Sequence, residues 1–287
     1  MTVRNRVWDT VASGFVSWET EFPDGYGAQY PGPGTFGTNT SDFCVAGGSA
    51  AVEGPAALPD DTFNTDALWL LGGAKRDELG TYDMILDNGS EQYAEGPVDY
   101  TQAFSADGSA GILARSGHDA ALILLGSVTV SAYIYFTVGI TGNRRICWFA
   151  DSGEAEAENI IWNLSAFGDG ANDPQIRYLH EYGAGNNELF LFPTFLALQT
   201  WHHLVLVRDD DAMEATLYIN GVQDGPAFSY SNSPTGGTTA RASIAGNWAT
   251  NGEVIPGRIA GCKLIPRALT QAEAMAEYKR GLRPRWR

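Results

Sequence analysis

Three carboxylates at alternate positions, Glu154, Glu156 and Glu158, come nearest to a spacing for acid–base chemistry. In an extended strand, alternate side chains share a face, and two such carboxylates flanking a glycosidic bond supply a nucleophile and an acid. Their surroundings argue against that role. The run follows the turn-like Asp151-Ser152-Gly153 and is spaced by alanines rather than the bulky residues of a packed strand. A solvated loop is expected there, and no catalytic residue is assigned. His118, His180, His202 and His203 sit in no nucleophile-bearing motif, and no G-x-S-x-G is present. His202 and His203 are neighbours on a predicted strand, so they face opposite ways and cannot share one metal. A core or inter-sheet role is expected for both.

The loop from Phe167 to Pro174 is richer in oxygen ligands, offering Asp169, Asn172 and Asp173. That chemistry suits a hard cation such as Ca2+, although no EF-hand ligand pattern is present. The alternative is a plain polar turn. Asp209 to Asp211 form a second acidic cluster, read as a solvated hairpin end. Carbohydrate binding needs exposed aromatic faces beside planar polar groups. Trp248, in the loop-like Gly246-Asn-Trp-Ala-Thr-Asn-Gly252, is the best candidate, with packing against the body of the protein as its alternative. Trp162 lies in a strand pattern and is expected in the core.

Charge narrows the partners. The 287 residues carry a formal charge of −16, which opposes nucleic-acid binding because phosphate repulsion would have no offset. No apolar run approaches the roughly 18 to 20 residues of a membrane helix, and the longest, Ala120–Leu125, is strand-sized. The N-terminus lacks an apolar signal region, so Sec export is not expected. Cys44, Cys147 and Cys262 are too scattered for a disulfide framework or a zinc site. Each is read as a buried thiol from a reducing cytosol, with one Cys147–Cys262 bridge open if their strands prove adjacent.

These residues must be positioned by many short strands. Trp201–Val207 and Ala215–Ile219 are apolar runs around the charged tip Arg208–Asp211, a β-hairpin pattern. Asn220-Gly221 then marks a tight turn with positive φ, and a third strand is expected from Val222. Further strands are expected at 67–71, 82–86, 128–136, 145–149, 159–164, 175–180, 188–192, 242–245 and 257–266. One helix is predicted near the end, with Thr270-Gln-Ala-Glu273 as a capping box and Gly281 as its C-terminal stop. Residues 1–62 differ. From Pro23 to Gly37, Pro and Gly fill 8 of 15 positions, which excludes a continuous helix or central strand. Trp8, Trp18, Tyr26, Tyr30 and Phe36 are expected to lay this arm on a surface as assembly contacts.

The Trp201-His-His-Leu strand, the acidic hairpin, Leu217-Tyr-Ile-Asn-Gly-Val222, the Gly72–Gly80 loop and the closing helix resemble the laminin-G-like, pentraxin-related branch of the concanavalin A-like lectin/glucanase superfamily. The resemblance spans about residues 64–282. It implies an all-β jelly-roll sandwich over 63–282 with one C-terminal helix, beside which the composition gives an irregular N-terminal arm over 1–62 and a basic tail over 283–287. It also implies Ca2+ at a sandwich rim, as lectin-like domains often hold it. A lectin-like domain with such an arm resembles accessory proteins of bacteriophage particles. The leading expectation is therefore a non-enzymatic structural virion protein made in the host cytoplasm. It would decorate the capsid or append to the tail, contacting major capsid or tail proteins, further copies of itself and host glycans. A bacterial carbohydrate-binding lectin module outside the cell is the alternative, and a glycoside hydrolase comes third.

Overall fold

The computed structural model describes residues 2–9, 14–21, 67–69, 83–88, 92–97, 102–109, 111–115, 120–151, 160–170, 173–183, 186–236, 240–247 and 252–281. In chain order the strands are β1 Thr2–Asp9, β2 Gly14–Glu21, β3 Ala67–Trp69, β4 Met84–Asn88, β5 Tyr93–Glu95 and β6 Gln102–Asp107. Next come β7 Ile112–Arg115, β8 Val128–Phe136, β9 Thr141–Asp151, β10 Ile160–Asp169, β11 Gln175–Glu181 and β12 Asn187–Phe195. The last are β13 Trp201–Asp209, β14 Glu214–Ile219, β15 Val222–Gln223, β16 Phe228–Ser229, β17 Ala240–Ile244 and β18 Pro256–Ile265, followed by α1 Gln271–Gly281. The chain divides into two compact units, Met1–Ala57 and Leu58–Arg287.

In the first unit the described residues precede the Pro/Gly stretch, which lies outside them. β1 and β2 pair antiparallel from Thr2↔Glu21 to Asp9↔Gly14. Their share of Val, Trp and Phe favours extended backbone, so the arm opens with a hairpin.

The second unit is the expected sandwich. A seven-stranded sheet runs β12-β11-β10-β9-β17-β7-β4. A nine-stranded sheet runs β15-β14-β13-β8-β18-β6-β5, with β16 beside β14 and β3 beside β18. Alternation decides the faces. On β8, Val130, Ala132, Ile134 and Phe136 enter the shared core, as do Trp162, Leu164 and Ala166 on β10. Trp162 stacks on Phe149 with ring centroids 4.4 Å apart, as a core tryptophan should. Each side chain of this size, fully buried, contributes roughly 1.5 to 3 kcal/mol.

The central hairpin forms in register, from Leu204↔Ile219 to Asp209↔Glu214. Asn220 and Gly221 both take positive φ, 52° and 78°, and β15 follows at Val222. One feature of its tip differs from the expectation. Arg208 is not part of a solvated end but 1% exposed inside the sandwich, donating to the carbonyls of Leu124 and Gly126. Inward parity on β13 puts it there, and carbonyl acceptors offset part of the cost of burying its charge. Those carbonyls lie just beyond a 3-10 turn at Ala120–Leu122, so the apolar 120–125 run is not a strand.

α1 starts as predicted. The Glu273 amide donates to Thr270 Oγ1 (3.3 Å), and the Thr270 amide donates to Glu273 Oε2 (2.8 Å). The helix covers the outer face of the nine-stranded sheet, where Leu269 and Ala274 cluster with Val205, Val207, Tyr218 and Ile265. Lys263 on β18 pairs with Glu277 of α1 at 2.6 Å, both nearly buried. His203 joins this layer, bonded to Ser131 Oγ through Nε2 (2.9 Å) and stacked on Tyr278. No helix among the described residues is long and apolar enough to cross a membrane.

Candidate functional site

With one sheet face under α1, the outer face of the seven-stranded sheet is the place to look for ligand chemistry. Its middle row is polar. Ser165 on β10 is in register with Arg145 on β9 and Arg177 on β11, and Arg177 is in register with Leu191 on β12. The two arginines therefore lie two strand spacings apart, roughly 10 Å. A bulge creates this arrangement. Pairing jumps from Leu164↔Cys147 to Ser165↔Arg145, so the extra residue turns Arg145 outward while Cys147 stays in the core.

Each arginine is anchored. Arg145 Nε donates to Glu253 Oε2 at 2.6 Å, and its backbone amide donates to the Glu253 carbonyl at 2.9 Å. Arg177 Nε donates to Ser165 Oγ at 3.2 Å. Burial, together with the charge of Arg145, lowers the Arg177 pKa to about 10, with Glu253 opposing the shift. It stays cationic at neutral pH, so the described residues of this row bring two guanidiniums and the Glu253 carboxylate together. Arg177 is 8% exposed, and neither of its terminal nitrogens makes a hydrogen bond within the described residues. Next to Ser165, Asn163 takes the same outward parity. It is fully buried, and both atoms of its amide lack a partner.

Glu253 also ties this row to the candidate sugar loop. Asn247 and Gly252, which bracket residues 248–251 in the sequence, exchange two backbone hydrogen bonds of 2.9 and 3.3 Å, forming a neck. Asn247 Nδ2 contacts Glu253 Oε2 at 3.5 Å. Ala245 and Glu253, on either side of the neck, take positive φ of 70° and 50°. Non-glycine residues adopt such angles at a cost of order 1 to 3 kcal/mol, and they cluster at ligand clamps. Trp248 itself lies outside the described residues, as do Glu154, Glu156, Glu158, His118, Cys44, Tyr26, Tyr30 and Phe36. Trp8 is on β1 and Trp18 on β2.

The calcium candidates are placed differently from the loop expected for them. β10 continues through Asp169, whose register partner is Thr141, so Asp169 ends a strand and is exposed. Asp173 is half-buried just before β11, and Asn172 lies outside the described residues. Among the described residues no group of three His, Cys, Asp or Glu side chains converges to hold a metal ion. His202 bonds the Ala197 carbonyl through Nε2 (3.1 Å) while His203 lies under α1, the opposed roles their adjacency required.

Sequence reasoning missed Arg145, Arg177, Asn247 and Glu253. Arg177 had a weak signal, a charged residue between Ile176 and Tyr178 in an alternating strand. For Arg145 there was none, because a bulge sets its direction.

Comparison with known proteins agrees with this architecture. The profile of the concanavalin A-like lectin/glucanases superfamily, laminin-G type, matches residues 107–275, more than half of the chain. The protein belongs to that superfamily. No curated protein matches it significantly. Among solved structures it resembles domain 4 of a GH43 extracellular arabinanase from Geobacillus stearothermophilus in complex with arabinotriose. The TM-score is 0.55 at 15% identity, covering 74% of this chain and 97% of that one. It also resembles a Trypanosoma rangeli sialidase in complex with 2,3-difluorosialic acid, at TM-score 0.54 and 14% identity over 78% of this chain and 33% of the sialidase. A third is the botulinum neurotoxin serotype D ligand-binding domain in complex with N-acetylneuraminic acid, at 0.53 and 12%, over 75% and 50%. The chain thus spans nearly all of the arabinanase domain but a third to a half of the other two. Identities this low speak to the fold alone.

Proposed function

We propose that this protein is a non-enzymatic, lectin-like display module. The outer face of β9–β11 binds a glycan, and the N-terminal unit attaches the sandwich to a larger assembly. The observation that carries the glycan reading is the Arg177 guanidinium. It is 8% exposed, is held by Ser165 through Nε, and has no acceptor for its terminal nitrogens among the described residues. A fixed planar fork of this kind matches a carboxylate or a pair of adjacent hydroxyls. With Arg145 in the same row, the favoured ligand class is a sugar bearing a carboxylate. The chain's overall negative charge does not defeat this, because charges beyond about 8 Å are screened at physiological salt while the row acts at contact. Two of the similar structures were determined with sialic-acid ligands and one with the neutral arabinotriose, so the likeness of fold leaves the choice of sugar to the arginines. Glu253, a carboxylate beside the row, is engaged by Arg145, which favours binding over hydrolysis.

Titration calorimetry with sialylated, uronic-acid and neutral oligosaccharides tests this. The parent chain is expected to prefer the acidic sugars, and Arg177→Gln is expected to weaken binding about 10- to 100-fold, the worth of a charge-assisted hydrogen bond. Absence of binding to every class, or release of free sugar from any of them, sinks the proposal. A second reading, a virion protein displayed on a bacteriophage capsid or tail, is favoured by the division into two compact units. Its test is whether the full chain, and not one starting at Leu58, associates with such particles.

A further inference from the structure

Two bulges, one in each sheet, aim two thiols at one another through the core. On β9 the register breaks between the Cys147 and Arg145 pairings, so Cys147 faces inward. On β18 it breaks between Ala260 and Lys263, at Gly261 with φ 57°, and this sets Cys262 inward and Lys263 outward towards α1. A glycine in the left-handed region is what such a bulge requires. The result is a Sγ–Sγ distance of 3.3 Å between strands of opposite sheets, with both residues 1% exposed.

We propose that Cys147 and Cys262 are a latent inter-sheet disulfide site, whose redox state is set while the two sheets are apart and is then held by the closed sandwich. The geometry needs little change. A disulfide has sulfurs about 2.05 Å apart, so the two must approach by about 1.2 Å, within reach of side-chain rotation. The chemistry is disulfide exchange with a small-molecule disulfide as oxidant. One cysteine loses its proton to water and attacks the oxidant, forming a mixed disulfide and expelling one thiolate. The second cysteine, also deprotonated, then attacks the protein-side sulfur and expels the other thiolate. Two protein thiols become one disulfide, and the oxidant is reduced to two thiols.

Both steps need a thiolate and access. The closed sandwich denies each. Its core excludes an oxidant of that size, and the hydrogen bond to Cys147 together with burial raises the Cys262 thiol well above its ordinary pKa. Oxidation is therefore fast for the open chain and slow for the folded one. The bridge, once formed, is equally shielded from reductants. The compartment in which the chain folds leaves a lasting chemical record in its core.

The experiment uses the full chain carrying Cys44→Ser, so that only this pair is counted. One sample is denatured, reduced and refolded in a buffer of oxidised and reduced glutathione; another is folded and reduced first, then placed in the same buffer. Each is sampled over time, denatured, alkylated with iodoacetamide and weighed by mass spectrometry. The refolded sample is expected to become two hydrogens lighter with no alkylation. The folded sample is expected to alkylate at both cysteines and to oxidise at least about 100-fold more slowly, since it must wait for opening. The bridged chain should melt about 5 to 10 °C above the dithiol form. Cys262→Ala should abolish that gap. Free thiols or single glutathione adducts after oxidative refolding overturn the proposal, as does equal oxidation rate in the two samples. Should the denatured chain aggregate on dilution, cell-free synthesis in oxidising and reducing buffers gives the same comparison by the same mass count.

Discussion

His203 shows how far the fold constrains a single side chain. Burial between β13 and α1, with Lys263 nearby, lowers its pKa from about 6.5 to about 3. The unfolded chain therefore takes up a proton below pH 6.5 that the folded chain refuses. Where the unfolded state holds more protons, stability rises with pH. His203 thus costs nothing above pH 7 and removes up to about 1.4 kcal/mol per pH unit as pH falls from 6.5 towards 3. Glu273, lowered to about 2 mainly by its hydrogen bond with Arg267, loses its contribution only below about 4.5. Between pH 6.5 and 4.5 the histidine effect is separable. His180, lowered by burial, works in the same direction. Urea melts at pH 7.0, 6.0 and 5.0 are expected to show the parent weakening steadily, and His203→Gln weakening less steeply because the His203 share is gone while that of His180 stays. Equal slopes for the two proteins would remove His203 from the account.

At the scale of elements, α1 is fastened by the buried Lys263–Glu277 pair as well as by its apolar stripe. Removing one partner strands a charge, a loss of about 3 to 5 kcal/mol, whereas replacing both with apolar residues is often neutral. Glu277→Leu alone is expected to lower the unfolding free energy by about that amount, and Lys263→Met with Glu277→Leu to restore most of it. Denaturant melts of the two single variants and the double decide this. A double variant as weak as the worse single would mean the pair is not what fastens the helix. The helix and hairpin were legible because their signals are local. Thr270 and Glu273 bond within one turn, and Asn220-Gly221 supplies its own positive φ. What stayed hidden was the parity of strands that contain bulges. Two apolar residues in succession, Ile146-Cys147, read the same whether or not an extra residue breaks the ladder. The outward turn of Arg145 and the meeting of the two thiols depend on that break. Arg208 was misjudged for a related reason, since the carbonyls that receive it lie more than eighty positions away.

For the whole molecule, the division at Ala57 and Leu58 makes independence of the second unit the expected result. A chain starting at Leu58 should melt within about 3 °C of the full chain and keep the proposed sugar binding, because the core and the arginine row lie within it. Light scattering on both chains then assigns any defined oligomer to the first unit. Loss of folding on truncation would show instead that the two units share stability. One edge of the sandwich bears on how such a module survives crowding. β12 ends the seven-stranded sheet, yet its pairing with β11 jumps from Arg177↔Leu191 to Gln175↔Phe195, and the irregular stretch contains Pro193. Proline offers no amide hydrogen, and a kinked edge gives an incoming strand no straight template. Many copies held close together on one surface would therefore resist fusing into a continuous sheet, leaving each free to engage its own ligand.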